Sequence, residues 1–409
     1  MHSQSIPLIL TPDVYDLAEV EATASLPNRI VECCQPVGFM NEGYPTRVSS
    51  VKAVGRYVDV MQEGRLQGTF SQYLGGQVTA EEMELMREVS VVVRRLTIEH
   101  YGLPTVPKDA LARALNVLRH VRHLHPDGGA TILEVGGGSG YVGALLSLAG
   151  YRYVATDIAQ AFYLYQSHLM NALTPGKVIE LANDLRSFAD IKNIDPGESI
   201  HVPWWKFVVP DPDFHLPIDL VTANHCLCEM HPRALAYTLK VCASLLANGG
   251  AQSTFLFEGW GSTARHPIWT VHKAFAEQGY SIAHSDILAT IYARQDGPLT
   301  LNGPPSPNTP TLAKNVALSR RPLLRRLGLI QEESLPPPLA LSMEQLWHPP
   351  IWVTPANMIS KQITDGRERL LQSAVHGIED FEQMLRKVLG SDDLLTCDEK
   401  FLRFIGTAL

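Results

Sequence analysis

The hydrophobic residues follow a helical period in the first third of the chain. From Val51 onward, apolar positions recur at steps of three and four residues, which is the pattern of amphipathic helices. Thr79 stands before two glutamates and predicts a helix start, because threonine caps a first turn and acids there suit the helix dipole. We expect that helix to run to Leu96 and a second one to span 108–124, whereas residues 1–48, with several prolines, look irregular.

After residue 129 the pattern changes to short apolar runs that alternate with helical segments. A turn at 126–129, rich in proline and glycine, separates the two regimes. Strands that alternate with helices of this kind predict a mostly parallel sheet with right-handed crossovers, that is, a doubly wound, Rossmann-like α/β fold. We expect strands at 131–135, 151–158, 218–224, 251–257, 280–283 and 288–294, and helices at 141–148, 161–172, 233–246 and 268–278.

Proline and glycine mark the end of the sheet region. Residues 295–312 contain five prolines and two glycines, a density typical of a linker or exposed loop. Beyond them, residues 357–389 return to a helical pattern, which predicts a C-terminal helical appendage. We therefore divide the chain into an N-terminal, mostly helical lid or dimerisation region (1–126), an α/β domain (127–296), and a proline-rich linker with a C-terminal helical region (297–409).

Charge and composition indicate which kinds of binding partner the protein is expected to have. The 409 residues carry a net charge of −8, so no global basic field would attract nucleic acid. Six cysteines include no C-x-x-C pair and are expected to be buried reduced thiols. The first residues lack a basic, apolar leader, and no run reaches the roughly 18 apolar residues of a membrane span. We expect a cytoplasmic enzyme that acts on a small molecule, without nucleic-acid or membrane partners.

The most informative segment is Glu134-Val135-Gly136-Gly137-Gly138-Ser139-Gly140, which joins a predicted strand to a predicted helix. Glycines there permit positive φ and let the backbone come close to a ligand. The next strand ends at Asp157, where a carboxylate can accept hydrogen bonds from both hydroxyls of a ribose. A dinucleotide site requires a third glycine where this chain has Tyr141, so the loop departs from the dinucleotide pattern.

The segment in which Glu134 stands two residues before G-x-G-x-G resembles motif I of class I S-adenosylmethionine-dependent methyltransferases. Further stretches resemble the putative sugar O-methyltransferase family: 157–169 with its aspartate, glutamine and leucine, 202–205 with its proline and tryptophans, and 224–230 with its terminal Glu-Met. Cys228 departs from that family, whose members often have glutamine at this position. The resemblance covers about residues 130–260 and implies a methyltransferase sheet with S-adenosyl-L-methionine (AdoMet) as cofactor.

The resemblance also implies which residues hold the cofactor. They are the acid and glycines of the loop and the acid after the second strand, namely Glu134, Gly136, Gly137, Gly138 and Asp157. Asn224, at the end of the fourth strand, is added to this set. The adenine is expected between the ends of the second and third strands, against Ile158 and near Asp184 or Trp204; the alternatives are an exposed-loop aspartate and a core tryptophan.

Methyl transfer to a hydroxyl requires a base, since the sulfonium already activates the methyl group. His225 is our first choice for that base, with Glu229 as its orienter or as a substrate ligand, and Glu258 as an alternative base. Two competing interpretations are that His225 bonds a loop carbonyl and that His231 caps the following helix. Tyr73, Trp260 and His266 are expected to contact the acceptor.

Nothing in the sequence demands a metal ion. We interpret His120, His123 and His125 as exposed helix-surface residues, and no compact set of acids predicts a divalent cation, although some sugar methyltransferases need one. The sequence favours transfer of a methyl group to a hydroxyl of a sugar or other natural product. The alternatives are an N- or carboxyl-methyltransferase on another small acceptor, and a protein that binds AdoMet for other chemistry.

Overall fold

A computed structural model describes residues 5–36, 44–60, 64–209, 216–249, 253–258, 268–286, 288–294, 358–392 and 394. Its strands are β1 Thr131–Val135, β2 Arg152–Asp157, β3 Val178–Glu180, β4 Ser199–Pro203, β5 Leu220–Asn224, β6 Thr254–Glu258, β7 Tyr280–Ser285 and β8 Thr290–Arg294. Its helices are α1 Pro12–Thr23, α2 Asn28–Cys33, α3 Val51–Val54, α4 Leu66–Gly68, α5 Ala80–Leu96, α6 Asp109–Leu124, α7 Tyr141–Leu148, α8 Gln160–Leu173, α9 Trp204–Phe207, α10 Pro232–Leu246, α11 Ile268–Glu277, α12 Met358–Ser373 and α13 Ile378–Leu389.

The strands of the described residues form one sheet in the order β3-β4-β2-β1-β5-β6-β8-β7. Neighbours from β3 to β6 run parallel, whereas β8 is antiparallel to both β6 and β7. Every residue of β1, β4 and β6 is buried, as expected of strands that helices cover on both faces. The predicted doubly wound, Rossmann-like fold is confirmed. Its strand order reverses between β1 and β5, and such folds bind ligands beside that switch.

The two helices predicted before the sheet are confirmed. Thr79 Oγ1 accepts a hydrogen bond from the Glu82 amide at 3.1 Å, and Glu82 Oε2 accepts one from the Thr79 amide at 2.8 Å, which closes a capping box at the start of α5. Helix α6 begins at Asp109, one residue after the predicted start. Both helices pack against α7, so they belong to the layer that covers one face of the sheet.

The histidines of α6 are buried, and the prediction that they lie on an exposed surface is wrong for His120 and His123. The reason is that α12 covers this side of α6. Arg367 on α12 donates to Nε2 of His120 at 2.6 Å, and a Cβ at Gly366 would lie only 2.5 Å from Nδ1 of His123. Burial and the charge of Arg367 lower the pKa of His120 to about 3, so its ring is neutral near pH 7.

The C-terminal helical pattern corresponds to two helices, α12 and α13, rather than to one continuous segment. Between them, the chain pairs with the N-terminal region, because the Val78 amide donates to the His376 carbonyl at 2.8 Å. Helix α13 packs on α5, where Arg94 donates to the Leu389 carbonyl at 3.1 Å. The appendage therefore covers α5 and α6, a partner surface that the sequence did not reveal.

The N-terminal segment that looked irregular contains α1 and α2. Helix α1 buries Tyr15 completely, but Val14, Leu17 and Val20 point to solvent. Apolar residues on both faces of α1 hide the helical period on which the prediction depended. None of the described helices is both long and apolar enough to cross a membrane.

Candidate functional site

The glycine loop leaves the carboxyl end of β1 in a conformation that other residues rarely adopt. Gly136, Gly138 and Gly140 have φ values of 69°, 55° and 73°. A Cβ at Gly136 would lie 2.7 Å from the Cβ of Cys226, and a Cβ at Gly140 would lie 2.8 Å from Cγ of Gln166. Both the left-handed backbone and the close neighbours therefore require glycine at these two positions.

Glu134 is the buried acid beneath this loop. Its Oε2 accepts a hydrogen bond from the Tyr153 hydroxyl at 2.5 Å, and its Oε1 accepts one from Nδ2 of Asn224 at 2.8 Å. Burial raises the pKa of Glu134 to about 7, with Asp157 adding to the effect. The carboxyl thus joins β1 to its neighbours β2 and β5 at the carboxyl edge of the sheet.

Asp157 closes β2 and contacts the loop from the other side. Its Oδ1 accepts from the Ala159 amide at 2.9 Å, while its Oδ2 accepts from the Gly138 amide at 3.0 Å and from Nε2 of Gln166 at 3.1 Å. Burial raises the pKa of Asp157 to about 6. A carboxylate offers about four acceptor positions, so roughly one remains for a ligand hydroxyl.

His225 follows β5 in a strained conformation. Among the described residues it is the one non-glycine residue with positive φ, at 66°, and such strain is concentrated at functional sites. Its amide donates to the Glu258 carbonyl at 2.8 Å, and its half-buried ring has no hydrogen-bonding partner in the part of the chain described. Burial, with the charges of Arg113 and Arg65, lowers the pKa of His225 to about 3.

Glu258, at the end of β6, is buried in an ion pair. Its Oε1 accepts from Arg113 of α6, and its Oε2 accepts from Nδ2 of Asn116 at 2.9 Å. The guanidinium of Arg113 lies 3.5 Å from the ring centroid of Tyr73. The structure thus brings Tyr73, Glu258 and His225 together, with Arg113 between Tyr73 and Glu258, a residue that was not predicted from the sequence.

Glu229 and His231 occupy different surroundings. Glu229 is half-buried at the end of the turn Cys226–Cys228, and burial together with the charge of Asp157 raises its pKa to about 7. His231 is exposed, and its Nδ1 accepts from the Arg233 amide at 3.2 Å at the start of α10. The interpretation of His231 as a helix cap is confirmed.

The residues expected near the adenine have contacts elsewhere. Asp184 forms an ion pair with Arg186, and hydrogen bonds from that arginine lower its pKa to about 2. Trp204 is buried, and its Nε1 donates to Glu19 of α1 at 2.6 Å. Ile158 is half-buried and packs on the core directly after Asp157.

Two predicted acceptor contacts, Trp260 and His266, lie outside the described residues. Within the described part of the chain, no group of three or more His, Cys, Asp or Glu residues could hold a metal ion. Gly137 lies between Glu134 and Gln166, the side chain that donates to Asp157. A Cβ at Gly137 would be 3.2 Å from Oε2 of Glu134 and 3.2 Å from Oε1 of Gln166.

Arg113, Asn116 and Tyr153 belong to the site but were not predicted from the sequence. Arg113 and Asn116 stand three residues apart in α6 and so lie on one face of the helix, but several other polar residues share that helix. Tyr153 lies within an apolar strand and gave no comparable signal.

No model of a known protein family matches the chain, and no curated protein matches it in sequence. Solved structures resemble part of it. The magnesium protoporphyrin IX methyltransferase of Synechocystis, with bound SAM, is 14% identical over 52% of this chain and 97% of its own, with a TM-score of 0.31. A 1,6-didemethyltoxoflavin-N1-methyltransferase of Burkholderia thailandensis is 14% identical over 45% of this chain and 79% of its own, with a TM-score of 0.32. An amino pentose methyltransferase of Micromonospora echinaspora is 12% identical over 44% of this chain and 90% of its own, with a TM-score of 0.29.

Proposed function

We propose that the chain is an AdoMet-dependent methyltransferase that acts on a hydroxyl of a small molecule. One observation carries the proposal: two buried carboxyls, Glu134 and Asp157, flank a left-handed glycine loop at the point where the strand order of the sheet reverses. In an open α/β sheet this crevice receives the ligand. An acid at the end of β2 suits a ribose, and a loop without the third glycine does not suit a pyrophosphate.

The residues present fit this cofactor. Oδ1 of Asn224 is buried and has no hydrogen-bonding partner among the described residues, so it is available to the amino group of a methionine tail. A Cβ at Gly138 would meet nothing within 4 Å, which leaves open space beside the loop. Burial raises the pKa of both Glu134 and Asp157. A ligand with positive charge opposes this rise, because it favours the ionised form of each acid. When bound, AdoMet supplies a methyl group already activated by its sulfonium.

On the acceptor side, the pKa values favour Glu229 over His225 as the base. A general base works best when its pKa lies near the working pH, and the pKa of Glu229 is raised to about 7. The pKa of His225, lowered to about 3, leaves its ring neutral and a weak proton acceptor. In this proposal Glu229 removes the proton from the acceptor hydroxyl, and the ring of His225 orients the acceptor by a hydrogen bond.

Glu258 receives a structural role in the proposal. Its carboxylate already accepts from Arg113 and Asn116, so it holds α6, and with it Tyr73, at the edge of the site. In this proposal the ring of Tyr73 contacts the acceptor. A sugar or natural-product acceptor, a cytoplasmic location and a homodimer stay predictions from the sequence.

Cofactor affinity is the first test. Calorimetry on the wild type should show binding of AdoMet and of its demethylated product, and Asp157→Asn should weaken both because it removes an anionic acceptor at the ribose. Asp190→Asn is the matched control, since Asp190 is an exposed aspartate whose partner is Ser187. No heat of binding in the wild type would contradict the proposal.

The acceptor and the base require a second test with labelled AdoMet. A panel of hydroxyl, amine and carboxyl acceptors separates O-methylation from the alternatives, and binding without any label transfer would favour a protein with other chemistry. Glu229→Gln should abolish transfer and leave cofactor affinity intact, whereas His225→Gln should lower the rate less. The reverse ranking would return the base role to His225.

A further inference from the structure

A buried chain of polar groups lies behind Asp157, and the chemistry proposed above does not use it. It leads from Glu180 on β3 through His201 on β4 to Gln166 on α8, and all three side chains are buried. Burial of a polar group costs free energy unless the group is hydrogen-bonded. A connected series of buried polar side chains therefore requires a structural or functional explanation. Its last member, Gln166, contacts Asp157 directly.

Gln166 holds the glycine loop and Asp157 at once. Its Nε2 donates to the Gly138 carbonyl at 2.8 Å and to Oδ2 of Asp157 at 3.1 Å. The loop rests on the same side chain, because a Cβ at Gly140 would lie 2.8 Å from Cγ of Gln166. Both protons of the amide nitrogen are therefore taken by the Gly138 carbonyl and Asp157, which leaves the amide oxygen to act as an acceptor.

That orientation determines the protonation of His201. Oε1 of Gln166 can only accept, and it lies 3.3 Å from Nε2 of His201, so this nitrogen carries a proton. Nδ1 of His201 lies 3.0 Å from Oε2 of Glu180. An ionised Glu180 also requires a donor there, and a ring with acceptors at both nitrogens is an imidazolium.

The surroundings of Glu180 favour its ionised form. Its Oε1 accepts from the Tyr163 hydroxyl at 2.5 Å and from the Ala182 amide at 2.9 Å, and its Oε2 accepts from the Ser167 hydroxyl. Burial acts to raise the pKa of Glu180, but the charge of His201 and these donors outweigh it, and the pKa lies below its usual value.

The ring of Tyr163 supports the positive charge as well. It is stacked on the ring of His201, with centroids 3.6 Å apart and an interplanar angle of 10°. The face of an aromatic ring attracts a cation, and its hydroxyl binds the partner anion, Glu180. The pair is thus neutralised within the protein, and no charge is left unpaired.

We propose that Glu180, His201 and Gln166 form a positioning relay, in which a buried imidazolium–carboxylate pair locks the Gln166 amide so that Asp157 and the Gly138 carbonyl keep the geometry that receives a nucleoside cofactor. The relay rests on the proposed function, because it gives Asp157 the ribose. None of the three touches the reacting atoms. They act through Asp157, and Gln166 is the member through which the pair reaches the loop.

The charge state is tested first, in the ligand-free protein. With ¹⁵N-labelled histidine, NMR at pH 7.5 should show His201 with both ring nitrogens protonated. The signal is assigned to His201 by its absence from the spectrum of His201→Gln. Glu180→Gln should convert the ring to a single neutral tautomer. A wild-type His201 with only one protonated nitrogen would overturn the relay.

Cofactor affinity is tested second. Gln166→Met keeps the length of the side chain but removes both donors, and we expect the Kd of AdoMet to rise on the order of tenfold, as loss of a hydrogen bond to a charged group predicts. The matched control is His168→Gln. His168 is equally buried on the same helix, but it bonds the Tyr101 hydroxyl at 2.9 Å and the Leu10 carbonyl at 2.7 Å, away from the loop.

The outcomes separate the relay from the proposed function. A wild type without affinity for AdoMet refutes the proposed function, and the NMR result still decides the charge on His201. A wild type that binds, with Gln166→Met binding equally tightly, refutes the relay alone. A Kd that rises by the same factor in His168→Gln would show a general loss of packing in α8 and would likewise refute it.

Discussion

The ionisation of Glu134 should make the protein less stable as the pH rises. Its carboxyl is buried under the glycine loop, and burial raises its pKa from 4.5 to about 7. At about 1.36 kcal/mol for each pH unit, this difference means that ionising Glu134 costs the folded state about 3 kcal/mol relative to the unfolded chain. The folded state binds more protons between pH 4.5 and 7, so stability is lost as the pH rises through that window.

Glu134→Gln removes this dependence, because the amide stays neutral and keeps an oxygen for Asn224. We expect the free energy of unfolding of the variant, minus that of the wild type, to grow by about 2–3 kcal/mol between pH 5 and 8. Urea unfolding at unit steps of pH measures this difference. Buried histidines such as His120 and His168, with pKa values of about 3 and 4, give an opposite slope in both proteins and cancel in the subtraction.

The control is Glu32→Gln, which makes the same substitution at an exposed glutamate of α2. A flat difference for Glu134→Gln would mean that the carboxyl is solvated, and would contradict the burial on which the cofactor site is argued. Saturating AdoMet should reduce the slope of the wild type, because a bound cation favours the ionised acid.

Three further predictions concern the same site. Gly136→Ala combines a strained φ with a Cβ 2.7 Å from that of Cys226, so calorimetry should show no cofactor binding and unfolding should need about 1–3 kcal/mol less. Arg113→Met removes the cation from the buried carboxylate of Glu258 and should destabilise the protein by about 3–5 kcal/mol in urea unfolding. Adding Glu258→Gln to this variant should restore most of the lost stability, and no restoration would contradict the ion pair. The Kd of AdoMet should rise as the pH falls below 6, because the pKa of Asp157 is about 6 and its protonated form loses an anionic acceptor; a Kd constant from pH 7.5 to 5 would refute this role.

The sheet could be predicted from sequence because its signals are local. β1 is a continuous apolar run that ends in glycines, and its predicted bounds are those of the structure. Helix α7 likewise spans the predicted residues 141–148. In these segments the burial on both faces, the turn chemistry and the spacing all indicate the same element.

The missed elements depend on contacts between distant parts of the chain. The exposed Val14, Leu17 and Val20 hid α1, whose burial is decided by the surface on which it packs. Strand β3 has only three residues and gains its place by pairing with β4.

In the candidate site, too, some residues could be predicted from local sequence signals and others depend on distant contacts. The glycine loop and Asp157 were readable because consecutive elements place them at one edge of the sheet. The partners of Glu258, Arg113 and Asn116, are 145 and 142 residues away in the chain, and no local pattern connects them. Gln166 stands out in the sequence only as part of a family signature, and the role proposed for it depends on His201 of β4, 35 residues away in the chain.

The contact between Arg113 and Glu258 has a practical consequence for anyone who wishes to dissect this chain. A fragment that starts at residue 127 would retain the carboxylate and discard the guanidinium that neutralises it, along with α5 and α6, which shield the sheet. Removal of α12 and α13 would strip the covering from His120 and His123. Expression trials should therefore keep the helices at both ends, because their contacts with the α/β core would be lost in a shorter fragment.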